Sequence, residues 1–282
     1  MSLPLVVGVD GSESSMRAMD WAADEAALRR APLRVVYACL WERYEGTVFT
    51  PELSACGQVT AEDIAAAATR RARRRHEGLS VTTTVVPEEA EYVLVRESRN
   101  ASVLVVGTRG RGALTDALLG SVSLTVAAHA HCPVVVLQGS HDNKAPAGRH
   151  ASIIVGVAAA PTAAVRFAYE EARRREVPLT AVRAWRRPAH QTANHPLLTG
   201  SPERLHEERA VQELEAALAG APSEVTLRRR TAEGPAHRVL SAASHEADLL
   251  IIGRREPKRL GSVAHAVLHH SDWPVAIVPD TV

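Results

Sequence analysis

A glycine-rich segment in the first half of the chain has the spacing of a phosphate-binding loop. Gly107–Gly110 is followed after nine residues by Gly120-Ser121, in a G-x2-G-x9-G-S pattern between a predicted buried strand and a predicted helix. Glycines let the backbone turn tightly and approach a phosphate, and a helix N-terminus offers unpaired N–H groups. The alternative is a turn that only connects the strand to the helix. The full spacing favours the phosphate-binding interpretation.

The same segment carries cationic and hydroxyl side chains. Arg109 and Arg111 supply positive charge, and Ser121 and Ser123 supply hydroxyl donors at the start of the predicted helix. The lysine of a P-loop is absent, and no dinucleotide-binding G-x-G-x-x-G follows the first strand. The segment therefore fits neither of these two nucleotide-binding motifs.

A carboxylate, Asp10, directly follows the first predicted strand. In a doubly wound sheet, ligands bind at the carboxyl ends of the strands, where the strand order reverses. If the first and fourth strands flank that point, Asp10 and the Gly107 loop face the same crevice. The carboxylate can then accept hydrogen bonds from ribose hydroxyls or help to hold a metal ion. The alternative role for Asp10, compatible with the first, is to cap the helix that begins near Ser15.

Short apolar runs alternate with helical patterns through the first half. The runs are rich in β-branched residues, which is typical of parallel strands buried on both faces. Their alternation with helices predicts right-handed βαβ units and a doubly wound α/β sheet. The predicted strands are Leu3–Val9, Leu33–Cys39, Val81–Val86, Val103–Val106 and Val134–Leu137, and the predicted helices are Ser15–Arg30, Ala61–His76, Glu88–Ser98 and Ser121–His131.

The second half of the chain repeats the first. Matching blocks recur in the same order, which indicates a duplication into two tandem modules, residues 1–138 and 151–282, joined by a polar linker at 139–150. The blocks are Leu5–Val9 with Ile153–Val157, Leu104–Gly107 with Leu250–Gly253, and Gly120–Val136 with Gly261–Ile277. The strands predicted for the second module are Ile153–Val157, Leu179–Ala184, Val225–Arg230, Leu249–Ile252 and Val275–Val278.

The second copy has lost parts of the motif. Ala158 stands where the first copy has Asp10, and Glu256 replaces Gly110 and would bring negative charge close to a phosphate. The step from Gly253 to Gly261 is also five residues shorter than the matching step in the first copy. We therefore expect nucleotide binding in the N-terminal module only. Binding of another anion by the second loop stays open, because this loop keeps Arg254, Arg255, Lys258 and Arg259.

These motifs resemble the universal stress protein family, over nearly the whole chain and as two tandem modules. The resemblance rests on the Val-Gly-Val-Asp-Gly-Ser opening that contains Asp10, the Gly107–Ser121 loop and the ending His129–Val134. It implies a five-stranded parallel sheet in the order 3-2-1-4-5 in each module. It also implies an ATP site, with ADP or AMP as alternative ligands and with Mg²⁺.

The resemblance assigns the contacts within that site. It implies that Asp10 contacts the nucleoside, that the backbone of Ala38 meets the adenine, and that glycines of the loop wrap the phosphates. The predicted binding residues are Gly8, Val9, Asp10, Ala38, Val106, Gly107, Arg109, Gly110, Arg111, Gly112, Gly120, Ser121, Val122 and Ser123. No catalytic residue and no metal ligand is predicted.

The whole chain is interpreted as a cytoplasmic, ATP-binding stress-response regulator with very slow or absent ATP hydrolysis. We expect a homodimer through the final strand of either module, Val134–Leu137 or Val275–Val278, and a signalling partner of unknown identity. A net charge of +1 argues against nucleic acid, and the apolar runs are too short to span a membrane. The alternatives are a nucleotide-independent dimeric scaffold and an adenylating enzyme. Adenylating enzymes of related folds have a loop similar to Ser-Gly-Gly-x-Asp-Ser after the first strand, and this chain lacks that loop there.

Two clusters are interpreted as surface features. Five arginines between Arg70 and Arg75 end a predicted helix, where cations suit the helix dipole and a solvated face. The histidines of the two final helices lack an acidic or cysteine partner at metal-ligand spacing, so we expect them at the surface or at an interface. They are His129, His131, His265, His269 and His270.

Overall fold

The computed structural model describes residues 2–39, 60–108, 119–138, 152–158, 162–186, 202–256, 258–271 and 273–280. The chain divides into two units, one built mainly from the N-terminal half and one mainly from the C-terminal half. Within the described residues, no helix combines the length and the apolar character needed to cross a membrane.

The N-terminal unit is an open parallel sheet with helices between its strands. Its strands follow the order β3-β2-β1-β4-β5, so the order reverses between β1 and β4. The elements are β1 (Leu5–Val9), α1 (Glu13–Arg29), β2 (Leu33–Ala38), α2 (Ala61–Arg75), β3 (Val81–Val86), α3 (Ala90–Glu97), β4 (Val103–Gly107), α4 (Ser121–His129) and β5 (Val134–Leu137).

The C-terminal unit repeats this plan. Its strands follow the order β8-β7-β6-β9-β10, which is again 3-2-1-4-5 in chain order, and its strand pairs are parallel. The elements are β6 (Ile153–Gly156), α5 (Ala163–Arg175), β7 (Leu179–Trp185), α6 (Pro202–Ala217), β8 (Leu227–Glu233), α7 (Ala236–Ser244), β9 (Leu249–Arg254), α8 (Ser262–His270) and β10 (Val275–Pro279). The predicted doubly wound fold is confirmed.

Individual strand and helix bounds differ where a local contact decides them. The eighth strand begins at Leu227 instead of the predicted Val225, because the N–H of Val225 donates to the carbonyl of Pro222 in a turn. Helix α1 begins two residues before the predicted Ser15, because Ser12 is its N-cap. The predicted linker lies outside the described residues.

A glycine in the first strand of each unit lets a helix pack closely on the sheet. A Cβ on Gly8 would lie 2.9 Å from Cδ1 of Leu94 in α3, and a Cβ on Gly156 would lie 2.9 Å from Cδ1 of Leu240 in α7. The same packing device therefore occurs in both copies. This packing accounts for a glycine at position 8 without any role in ligand binding.

Two ion pairs join α1 to α2. The guanidinium of Arg71 donates to both carboxylate oxygens of Asp20, at 2.5 and 2.6 Å, and that of Arg75 donates to both oxygens of Asp24. These hydrogen bonds from the guanidinium raise the pKa of Arg71 and of Arg75. Arg71 and Arg75 lie on an exposed face, as predicted, and the sequence analysis missed only their pairing with Asp20 and Asp24 of α1.

Candidate functional site

The carboxyl ends of β1 and β4 lie side by side in the N-terminal unit. The two strands pair in parallel, with Leu5 opposite Val103 and Val7 opposite Val105. Asp10 follows β1, and Thr108 follows β4. Because the strand order reverses here, this is the edge at which an open α/β sheet binds its ligand. The two motifs found in the sequence therefore meet at one place.

Asp10 organises the turn between β1 and α1. Its Oδ1 accepts hydrogen bonds from the N–H of Ser12 at 3.0 Å and from Oγ of Ser12 at 2.6 Å. Gly11 has a φ of +81°, which suits a residue without a Cβ. Ser12 in turn caps α1, since its Oγ accepts from the N–H of Ser15 at 3.2 Å. Asp10 thus holds the capping residue, whereas Ser12 is the cap itself.

Gly107 is required by packing against α1. A Cβ at this position would lie 2.8 Å from the backbone carbonyl carbon of Ser14 and still closer to its Oγ. The end of β4 therefore lies directly against the first turn of α1. This contact accounts for a glycine at 107 independently of any phosphate.

Thr108 holds a buried hydroxyl at the same edge, and the sequence analysis did not single it out. The residue is 2% exposed, and its Oγ1 has no hydrogen-bond partner within the part of the chain that the structure describes. Its backbone is well fixed, because its N–H donates to Leu137 and its carbonyl accepts from Gly120 at 2.7 Å. Only the tertiary structure reveals this hydroxyl, because its burial depends on the packing around it.

The N-terminus of α4 lies next to Thr108. Gly120 is the N-cap residue and provides no side-chain hydrogen bond to the helix. The N–H groups of the first turn, at Ser121, Val122 and Ser123, have no acceptor within the helix and are directed outward along its axis. An anion at this end would meet these three groups and the positive end of the helix dipole.

The two serine hydroxyls of this turn already have partners. Oγ of Ser123, a buried residue, donates to the carbonyl of Gly107 at 2.6 Å and so joins α4 to β4. Oγ of Ser121 donates to Oε1 of Glu91 at 3.0 Å. Phosphate contacts from these hydroxyls, as predicted, would require the present hydrogen bonds to break. The backbone N–H groups need no such change.

The remaining predicted residues fall into two groups. Val9 and Val106 are buried in β1 and β4, and Ala38 ends β2. The N–H of Cys39 donates to Val86 in β3, so the backbone groups of the neighbouring Ala38 point the other way, toward β1. The second group lies outside the described residues and consists of Arg109, Gly110, Arg111 and Gly112.

The matching edge of the C-terminal unit has different chemistry. The guanidinium of Arg183 donates to the carbonyl of Val157 at 3.2 Å and pairs with Glu213 of α6. Tyr37 stands at the position that matches Arg183 in the first unit. The pKa of Glu213 is lowered by a hydrogen bond from Arg209 and also by Arg183. An arginine–glutamate pair therefore lies at the end of β6.

Arg254 also differs from its expected place. It ends β9 as a buried residue, whereas the sequence analysis assigned it to the basic loop. Its counterpart in the first unit is Thr108, since Gly253 matches Gly107. The assignment of Arg254 to the basic loop is wrong, because the strand extends through this residue.

A cavity of about 670 Å³ lies at the opposite end of the N-terminal sheet. It is lined by the end of α1 and by the turns before β2 and β3, including Arg30, His76 and Glu77. These residues precede their strands. The cavity is therefore remote from the carboxyl edge that carries the motifs.

Comparison with known proteins places this fold and these motifs in a family. The sequence model of the universal stress protein family matches residues 1–138 and again residues 151–279. Universal stress protein Rv2005c of Mycobacterium tuberculosis is similar to this chain, with 32% identity over 297 residues that cover 97% of this chain and 96% of the relative. Universal stress protein Rv2623 of the same organism is 29% identical over 303 residues, covering 100% of this chain and 98% of the relative.

A solved structure agrees at the level of the fold. The crystal structure of a universal stress protein from Archaeoglobus fulgidus superposes with a TM-score of 0.64, covers 98% of both chains and is 15% identical in sequence. Since the family model matches both halves and the relatives align over nearly their whole length, this chain belongs to the universal stress protein family.

Proposed function

We propose that the N-terminal unit binds one adenine nucleotide, ATP in the first place, and that the chain acts as a nucleotide-dependent regulator of the stress response. The observation that carries this proposal is the hydroxyl of Thr108, which is buried beside the N-terminus of α4 and has no partner among the described residues. An unsatisfied buried hydroxyl costs about 1–3 kcal/mol. A ligand that accepts its hydrogen bond would recover that free energy.

The surrounding groups suit the parts of a nucleotide. The first-turn N–H groups of α4 suit phosphate oxygens, with the Thr108 hydroxyl as a further donor. The carboxylate of Asp10 suits ribose hydroxyls, and the backbone of Ala38 suits the edge of an adenine. Mg²⁺ would neutralise part of the phosphate charge.

Binding is restricted to the N-terminal unit in this proposal. The C-terminal unit has Ala158 in place of Asp10, a shorter loop and the Arg183–Glu213 pair at the end of β6. Its α8 also has a glycine N-cap, Gly261, so the helix end alone does not distinguish the units. The difference lies in the groups around that helix end.

We infer that hydrolysis of ATP is slow or absent and that the function is regulatory. No lysine occurs between Gly107 and Ser121 to stabilise a transferring phosphoryl group. Turnover faster than about one per second would instead support an enzyme. The homodimer and the signalling partner stay predictions. A light-scattering mass equal to one chain at micromolar concentration would count against the dimer.

The direct test is to identify what the purified protein carries. The chain is prepared without added nucleotide and denatured, and released adenine nucleotides are quantified by liquid chromatography and mass spectrometry. We expect a substoichiometric to equimolar amount of one adenine nucleotide. If none is released and added ATP, ADP and AMP all fail to bind, the nucleotide-independent scaffold becomes the better account.

A further inference from the structure

Two histidines on α8 lie one helical turn apart with their rings close together. The ring centroids of His265 and His269 are 4.6 Å apart, and the ring planes are tilted by 42°. Helix α8 packs on its unit through Ala264, Val267 and Leu268, which leaves His265 exposed and His269 half-buried. The pair therefore lies at the solvent boundary of the helix, where an ion can reach it.

The ring separation is compatible with a metal ion shared by the two imidazoles. With a metal–nitrogen bond of about 2.1 Å, an ion would lie about 3.2 Å from each ring centroid, and at a bond angle of about 90° the two centroids would be about 4.5 Å apart. Histidines at positions i and i+4 of a helix are also the arrangement by which zinc proteases hold their metal. The observed centroid distance of 4.6 Å matches this separation.

We propose that His265 and His269 form a two-histidine chelate for a first-row transition metal ion, with water completing the coordination. Copper(II) should bind most tightly, because affinity for nitrogen ligands rises along the series to copper and falls at zinc. The site is separate from the nucleotide site and does not depend on it.

Imidazole nitrogens are the commonest protein ligands for transition metals, so the two side chains have suitable chemistry for this role. No group of three or more histidine, cysteine or carboxylate side chains suited to a metal occurs among the described residues, so the described part of the chain supplies two ligands here.

The first unit provides an internal comparison. At the positions that match His265 and His269, helix α4 has Leu124 and Ala128. Its final histidine, His129, is close to the carbonyl of Thr125, with Nδ1 at 2.9 Å from that oxygen, and has no histidine one turn before it. The duplicated fold therefore does not produce the pair by itself.

The test is a Cu²⁺ titration of the full chain without an affinity tag, followed by calorimetry and electron paramagnetic resonance. Because outer-shell changes alone weaken metal sites by about 10–100-fold, His265→Ala and His269→Ala should each weaken the tightest site by about tenfold or more. The resonance spectrum should lose its two-nitrogen pattern. His265→Gln repeats the test with a polar side chain at an exposed position.

His270→Ala is the matched control, because it removes a neighbouring imidazole and keeps the pair. It should leave the tightest site unchanged, and so should Asp10→Asn. Unchanged copper affinity in His265→Ala and His269→Ala, or an equal loss in His270→Ala, would overturn the proposal. Neither result would bear on nucleotide binding, which is measured separately.

Discussion

At the scale of a single residue, Thr108 is a position where effects on ligand binding and on stability can be told apart. Its hydroxyl is buried at the carboxyl end of β4 and has no partner within the described chain, while its backbone is held on both sides by Leu137 and Gly120. A protein selected only for stability would gain from an apolar side chain of the same shape here. In the proposed function, this hydroxyl donates to the bound nucleotide.

Thr108→Val tests this explanation. Removal of the unsatisfied hydroxyl should raise the free energy of unfolding by about 1 kcal/mol. It should also weaken ATP binding several-fold, because one donor to the ligand is lost. Urea unfolding and calorimetry measure the two effects, and Thr108→Ser, which keeps the hydroxyl, is the control for binding. If Thr108→Val binds ATP as tightly as the wild type, the hydroxyl has no part in the site.

Gly107 provides a second test at this scale, with Gly253 as its counterpart. A methyl group on Gly107 would overlap Ser14, so Gly107→Ala should destabilise the N-terminal unit by about 1–3 kcal/mol. The nearest atom to a methyl group on Gly253 is Cβ of Ala164, at an ordinary 3.5 Å. Gly253→Ala should therefore be neutral or stabilising by about 0.5 kcal/mol. Equal unfolding midpoints for the two variants would contradict the packing role.

At the scale of elements, the ion pairs between α1 and α2 hold the helix that follows β1. Asp20 and Asp24 are one turn apart on α1, as Arg71 and Arg75 are on α2, and each pair is bidentate. In the second unit, Ala217 matches Arg71, so this pairing belongs to the first copy. The copy that carries the nucleotide motif thus has an additional restraint on α1.

A double-mutant cycle measures this restraint. Asp20→Ala, Arg71→Ala and the double variant should give a coupling free energy of about 1 kcal/mol, discounted because the Arg71 side chain is 45% exposed. The coupling should shrink in high salt. A parallel cycle with the exposed Arg74 serves as the control and should give almost none. Similar coupling for Arg71 and Arg74 would show that the contact reflects only general charge attraction.

The elements were largely predictable, because their signals are local. The strands are continuous β-branched runs, and the helix starts carry capping residues such as Thr60, whose side chain and that of Asp63 form a capping box. The ion pairs between α1 and α2 were missed because they join residues 51 positions apart. The site was predictable only in outline. The positions of Asp10 and of the glycine loop can be read from the sequence. The burial of the Thr108 hydroxyl and the hydrogen bond from Ser123 to Gly107 depend on tertiary packing, which the sequence does not show.

At the scale of the whole molecule, the chain contains its own comparison. Two copies of one fold share their strand order and the close approach of a helix over the first strand, at Gly8 and at Gly156. They differ at the carboxyl edge, where one copy has Asp10 and Thr108 and the other has Ala158 and Arg254. We therefore predict one nucleotide per chain, bound by the first copy.

Calorimetric titration of ATP into the full chain and matched variants tests this central claim most directly. We predict a stoichiometry near one for the wild type. Asp10→Ala should lose a hydrogen bond to a charged group, worth about 1.5–3 kcal/mol or tenfold and more in affinity, besides about 1 kcal/mol of stability from the turn. Gly120→Val should remove most binding by placing a side chain at the helix end. The φ of Gly120, −68°, is open to any residue, so this change adds no backbone strain.

Gly261→Val makes the same change in the second unit, where a Cβ would meet no atom of the described residues within 4 Å, and it should leave binding unchanged. Unfolding curves confirm that each variant is folded before its titration is interpreted. We predict one ATP per chain, bound about tenfold or more weakly by Asp10→Ala, mostly lost in Gly120→Val and kept in Gly261→Val. A stoichiometry near two, or full affinity retained by Asp10→Ala, would contradict it.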